Sequence, residues 1–174
     1  AGANNNLAYG VDGSLGLFDN LQIGGYWART ETACDDRPAA TACDDLKGDS
    51  ESYQGRFDYF ADRYGARFEY LKVGDNFNPE VGFLPRRGYR RPEFRAFFQP
   101  QPKNIEWIRR VAPHLTYTSY YGFDDKLQSE SWHIHPFEIQ PKQGGRFGWF
   151  ANFNKDNPTA PFQVYNRDGN RVVI

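Results

Sequence analysis

From Leu7 to Phe18 the chain reads LAYGVDGSLGLF, and its larger apolar residues fall on alternate positions. Leu7, Tyr9, Val11, Leu15 and Leu17 share one face, while Ala8, Gly10, Asp12, Ser14 and Gly16 share the other. Successive side chains of a strand point to opposite sides, so this spacing predicts a strand with one apolar face.

The alternation recurs along the chain. Asp19-Asn20 predicts a two-residue hairpin turn, since both residues tolerate positive φ. LQIGGYWART then sets Leu21, Ile23 and Trp27 on one face. SYQGRFDYFA places Tyr53, Phe57 and Tyr59 against Gln54, Arg56 and Asp58. YGARFEYLKV places Tyr64, Ala66, Phe68 and Tyr70 against Gly65, Arg67 and Glu69. EFRAFFQ, a shorter segment, alternates Phe94, Ala96 and Phe98 with Glu93, Arg95 and Gln99. VAPHLTYTSYYGF and RFGWFANFN behave alike, and no long stretch has helical spacing.

Short and long connections alternate over the first five strands. The links after the first and third are about two residues, whereas 31–51 and 74–92 are long. Outer-membrane barrels have tight periplasmic turns and long extracellular loops, with strands of about 9–11 residues. Arg56, Asp58, Arg67, Glu69, Glu93 and Arg95 fall in mid-strand on the polar face, as a water-filled lumen requires. The opposite face is rich in rings: aromatics are 17% of the chain, with a mean hydropathy of −0.78 and no Met. A soluble core leans instead on Leu, Ile and Val. The expected fold class is therefore all-β: an antiparallel transmembrane β-barrel, about 8–9 strands of a larger one. Residues 1–174 form part of that single domain, with loops 31–51 and 74–92 extracellular. A soluble β-sandwich that stacks sugars on Trp and Tyr is the alternative. A plugged structural component of a larger surface assembly is another.

Net charge is −1, from 21 basic and 22 acidic residues, so no global field draws nucleic acid. No signal peptide opens the sequence, and Ala1 without Met reads as a processed product or part of something longer.

The segment YLKVGDNFNPEVGFLPRRGYRR resembles the barrel-forming domain of unknown function found downstream of carbohydrate-binding family 9 modules in bacterial outer-membrane proteins. Gly74, Phe77, Asn78, Pro79, Glu80, Gly82, Phe83, Pro85, Arg86, Tyr89 and Arg90 carry the likeness. HPFEIQ and PFQVYNRDGNRVVI are similar to its later strands, so the match runs over residues 50–174. The resemblance implies residence in the bacterial outer membrane, as a solute conduit or a surface anchor for carbohydrate-binding or partner domains. It implies contact with membrane lipid, lipopolysaccharide, the remaining barrel strands and surface-exposed protein or carbohydrate. It supplies no catalytic residues.

Within the motif, Phe77, Asn78, Pro79, Gly82 and Phe83 read as a stiff structural loop. Arg86, Arg87, Arg90 and Arg91 crowd the next strand's start, paired with lumenal or loop acids such as Asp75 and Glu80. The sharper reading is an anion-attracting constriction or a lipopolysaccharide contact, since guanidinium groups bind phosphate bidentately. Cys34 and Cys43, the only cysteines, share one loop and predict a disulfide in an oxidising compartment. Asp35, Asp36, Asp44 and Asp45 follow them as a solvated acidic loop, with calcium the alternative. WHIHPF sets His133 and His135 on one face, with Trp132 and Ile134 opposite. Two such histidines can share a metal. Nothing in the sequence places His114 near them, so lumen-lining histidines without metal or cofactor are expected. Pro136 is expected to end that strand. Asp124-Asp125 and Asp44-Asp45 are adjacent, so in extended backbone their side chains diverge and make no opposed catalytic pair. No GxSxG, HExxH, P-loop or CxxC occurs, and no enzymatic role is expected.

Overall fold

A computed structural model describes residues 6–32, 48–80, 82–158, 163–165 and 171–173. Its strands are β1 (Asn6–Leu17), β2 (Leu21–Thr32), β3 (Glu51–Phe60), β4 (Tyr64–Val73) and β5 (Tyr89–Phe98). They continue as β6 (Ile108–Val111), β7 (His114–Tyr121), β8 (Leu127–Pro141) and β9 (Phe147–Asp156). These nine make one antiparallel sheet, and β10 (Gln163–Tyr165) pairs with β11 (Arg171–Val173) in a separate one. The fold is thus all-β. Among the described residues the large sheet is open, with β1 and β9 at its edges.

The sheet is an up-and-down meander with one interruption. β6 and β7 lie along the same edge of β8, as two halves of one crossing broken at Ala112-Pro113. Proline has no N–H to donate, so the ladder stops there and resumes. Phe98 N donates to Pro113 O and Val111 N to Pro100 O, tying both halves to the end of β5.

Burial is inverted relative to a water-soluble protein. Among the described residues the buried apolar side chains are Val73, Tyr89, Ile108 and Ala112. The buried polar ones are more numerous: Thr30, Ser52, Asp58, Glu69, Glu138 and Gln140 on one face, and Ser119 on the side of Tyr117. On the opposite face the register aligns one residue from each crossing in a single row. It runs Leu15, Ile23, Phe57, Phe68, Phe94, Tyr117, Trp132, Phe153. All but Tyr117 are 38–59% exposed. Extensive packing between strands is confined to sheet neighbours, so no second sheet covers this row among the described residues. A sandwich needs that second layer. We call the row's side outer and the polar side inner.

Several local expectations are corrected. The first turn spans three residues, not two, and Phe18, with φ 57°, takes the left-handed position instead of Asp19 or Asn20. The fifth strand is full length, because Tyr89, Arg90, Arg91 and Pro92 belong to it. Pro92 lies opposite Tyr70 of β4, and the β5–β7 ladder skips from Arg90 to Glu93, where the missing N–H costs nothing. Pro136 does not end its strand. β8 continues to Pro141 through a bulge between Ile134 and Phe137, which absorbs the proline in an extra residue. Cys34, Cys43 and the four neighbouring aspartates lie outside the described residues.

Gly74 marks the tightest approach between the loop and its support. Its N–H donates to Glu51 O, and an added Cβ would meet Asp49 O at 1.8 Å. Gly74→Ala is therefore expected to destabilise by about 1–3 kcal/mol, the usual range for overpacking. Gly13→Ala, with nothing within 4 Å of its added Cβ, should be near neutral. The urea midpoints of the two variants test this; equal midpoints would contradict it.

Candidate functional site

Pleating places the mid-strand charges of β3, β4 and β5 on the inner face, where they meet across strands. Asp58, buried, receives Arg67 in a fork: Nε to Oδ1 at 2.5 Å and a terminal nitrogen to Oδ2 at 3.2 Å. Arg56 Nε approaches Asp58 Oδ2 at 3.0 Å. Two positions along β4, Glu69 accepts from Arg91. The β4–β5 register also opposes like charges, Arg67 with Arg95 and Glu69 with Glu93. Like charges directly opposite repel, and the fork to Asp58 draws Arg67 toward β3 instead.

Toward the short-turn end, the inner face encloses a cavity of about 500 Å³ lined by β3 to β8 and Arg146. Arg67, Arg95, Arg110 and Arg146 line it, and Glu138 is the one carboxylate among its lining residues. Arg110 is clamped by two amide oxygens, Gln140 Oε1 and Gln99 Oε1, each at 2.8 Å. Gln140 Nε2 in turn donates to Glu138 Oε1 at 2.6 Å. Arg67 is paired with Asp58, but amides leave the charge of Arg110 uncompensated, so with Arg95 and Arg146 against the one lining carboxylate the cavity carries an excess of positive charge.

The loop motif lies at the opposite end. Asn78 fastens it, its N–H donating to Thr30 Oγ1 at 2.9 Å and its carbonyl accepting from Asn6 Nδ2 at 2.9 Å. Gly82 N closes a turn on Pro79 O, Phe77 N reaches Gly74 O, and Phe83 is fully exposed. Two of the four arginines pair with acids as expected, though with Asp125 and Glu69 in place of Asp75 and Glu80, and the other two bind amide side chains. Arg86 binds Gln128 and covers the rings of Tyr89 and Tyr120 at 5.6 and 5.1 Å. Arg87 binds Asn78, Arg90 binds Asp125 and the Gly122 carbonyl, and Arg91 binds Glu69. Asp75 instead accepts from the backbone N–H groups of Asp49 and Asn76. Asp124 and Asp125 occupy a turn, not extended backbone, with Asp125 at φ 61°. Asp124 accepts from Lys126 while Asp125 turns to Arg90, so the pair does diverge.

The largest departure from the sequence reading concerns histidine. His114 lies directly opposite His135, and their rings stack at 4.5 Å with an interplanar angle of 11°. His133 completes the group at 5.4 Å from each. One ring nitrogen from each histidine lies within 4.8 Å of the other two. The missed signal was the hairpin centred on Asp124-Asp125, whose folding brings position 114 to 135.

Comparison with known protein families, curated proteins and solved structures finds no significant match for this chain.

The loop strap has a pH signature. Burial pushes the Asp49 carboxyl up, but hydrogen bonds from the Lys72 ammonium and the Glu51 N–H outweigh it and hold its pKa below the ordinary value. A carboxylate depressed on folding adds stability that is full above its unfolded pKa of about 4 and is lost as pH falls through its lower folded pKa. Asp49→Asn should accordingly lower the urea midpoint more at pH 7 than at pH 3. An equal loss at both would contradict the pairing.

Proposed function

We propose that the chain forms a stretch of β-barrel wall in a bacterial outer membrane, acting as a conduit for solutes along its arginine-lined inner face. The observation that carries this reading is the inverted burial: charged groups paired inside, and a row of exposed apolar side chains outside. Lipid is the solvent that favours such a row. Open edges at β1 and β9 would leave backbone groups unpaired in hydrocarbon, so further strands complete the barrel. The long connections, 33–50 and 74–88, are then extracellular and the short turns periplasmic. The resemblance of the DNFNPEVGFLPRRGY segment to a barrel-forming domain supports the same location and a connection to surface carbohydrate-binding modules. Catalysis is no part of this reading.

One observation favours a second reading, in which the wall is plugged and serves as a surface anchor. The 74–88 loop turns inward, with Arg86 resting over the inner-face rings of Tyr89 and Tyr120. Conductance of the full-length protein in planar bilayers separates the two: stepwise currents with anion preference mean a conduit, and a silent bilayer means an anchor.

Membrane residence is tested by electrophoresis of the detergent-extracted full-length protein, with and without boiling. A heat-dependent mobility shift is expected; recovery in the soluble fraction with no shift would overturn the barrel. Phe68→Arg, in the middle of the outer row, should cost about 2–4 kcal/mol and impair assembly. Arg67→Ala, on the inner face, should assemble better than Phe68→Arg; the reverse order would contradict the facing.

A further inference from the structure

We propose that His114, His133 and His135 form a binding site for a divalent transition-metal ion of the zinc, copper or nickel class. Imidazole suits these ions, and three imidazoles leave one position of a four-coordinate site for water or an anion. The two proline interruptions build the cluster. Ala112-Pro113 starts β7 at His114, the bulge at Pro136 follows His135, and Ala112 N donates to Glu138 O across the gap.

The hydrogen bonds around the rings prepare nitrogen lone pairs for a ligand. His114 Nδ1 lies 3.2 Å from the Ala112 carbonyl, which only accepts, so Nδ1 carries the hydrogen and Nε2 is a free donor atom for metal. His133 Nδ1 lies 2.6 Å from Asn152 Oδ1, with the same consequence. Ring N–H groups held by a carbonyl or amide oxygen are the usual outer support of metal-bound histidine. His135 Nδ1 is buried and has no hydrogen-bond partner, an unmet acceptor or donor that a metal bond or a proton must satisfy. Glu138 Oε2 stands 3.8 Å from it and supplies negative charge, its Oε1 being occupied by Gln140. The His114 and His135 rings stack near-parallel, which disfavours protonating both; because imidazole lone pairs lie in the ring plane, a shared ion requires the rings to turn until their nitrogens converge on it. Nitrogens around a tetrahedral zinc sit roughly 3.3 Å apart, given bonds of about 2.0–2.1 Å. One ring nitrogen from each histidine lies within 4.8 Å of the others, and side-chain rotation that also opens the stack must bring them to that distance.

His114 and Glu138 also line the arginine-walled cavity, so the histidine cluster adjoins it.

The test uses the full-length protein in detergent, stripped with a chelator and titrated with Cu²⁺ under electron paramagnetic resonance. The expected result is one Cu²⁺ per chain with hyperfine splitting from imidazole nitrogens, displaced by Zn²⁺. The double variant His133→Ala/His135→Ala should lose that signal. Asn152→Ala should weaken binding by about 10–100-fold, and Asn152→Asp, which keeps the acceptor, should restore it. A wild-type protein that takes up no Cu²⁺ would overturn the proposal, as would an unchanged spectrum in the double variant. The wild-type spectrum decides the matter even where a variant misfolds.

Discussion

A pleated strand sends successive side chains to opposite sides, and in this sheet the two sides face different surroundings. Everything else depends on that division. The outer row from Leu15 to Phe153 stays in register across every crossing because a slip of one residue would move it inward and bring Arg67 and Glu69 out. Register is therefore defended by both faces at once. The carboxylate of Asp58, shared between Arg56 of its own strand and Arg67 of β4, would lose Arg67 to the other face by such a slip.

Interruptions of this regular pattern concentrate the chemistry. Where the ladder is continuous, inner-face charges find partners in neighbouring strands, Arg67 with Asp58, Arg91 with Glu69 and Thr118 with Glu93. Where Pro113 and Pro136 break it, backbone groups are released and side chains gather at irregular spacing. The histidine cluster and the arginine-lined cavity both lie there; His114 belongs to both, and Glu138 of the cavity stands 3.8 Å from His135. Pro92 shows the contrast: it interrupts one ladder where only the local β5–β7 pairing lapses, and no such cluster forms around it.

Strand positions were largely legible because alternation is a local property. Tyr53, Phe57, Tyr59 and their polar partners declare a two-faced strand without reference to any other part of the chain. The assignment of Arg56, Asp58, Arg67 and Glu69 to one face was legible for the same reason. What escaped was non-local or proline-dependent. Pro136 reads as a stop because a bulge that rescues it depends on the neighbouring strand β9. Tyr89 to Pro92 read as loop because Arg and Pro mask a strand whose partner, β4, supplies its order. The proximity of His114 to His135 required pairing across a hairpin, which single-strand periodicity does not carry. The partners Gln128 and Asp125 of Arg86 and Arg90 come from folding distant segments together, whereas Arg87 reaches Asn78 within its own loop.

The most direct measurement of the two-sided sheet is site-directed spin labelling along β4. Cys34 and Cys43 are first replaced by Ser, and single cysteines are then placed in turn at Ala66, Arg67, Phe68, Glu69 and Tyr70. In lipid vesicles the account predicts that labels at 66, 68 and 70 collide with oxygen, and those at 67 and 69 with a water-soluble nickel chelate. Strict alternation of the two accessibilities would bear out an outer face in lipid and an inner face in water. Uniform access of the nickel chelate at all five positions would contradict it and return the outer row to an aqueous or protein-covered surface.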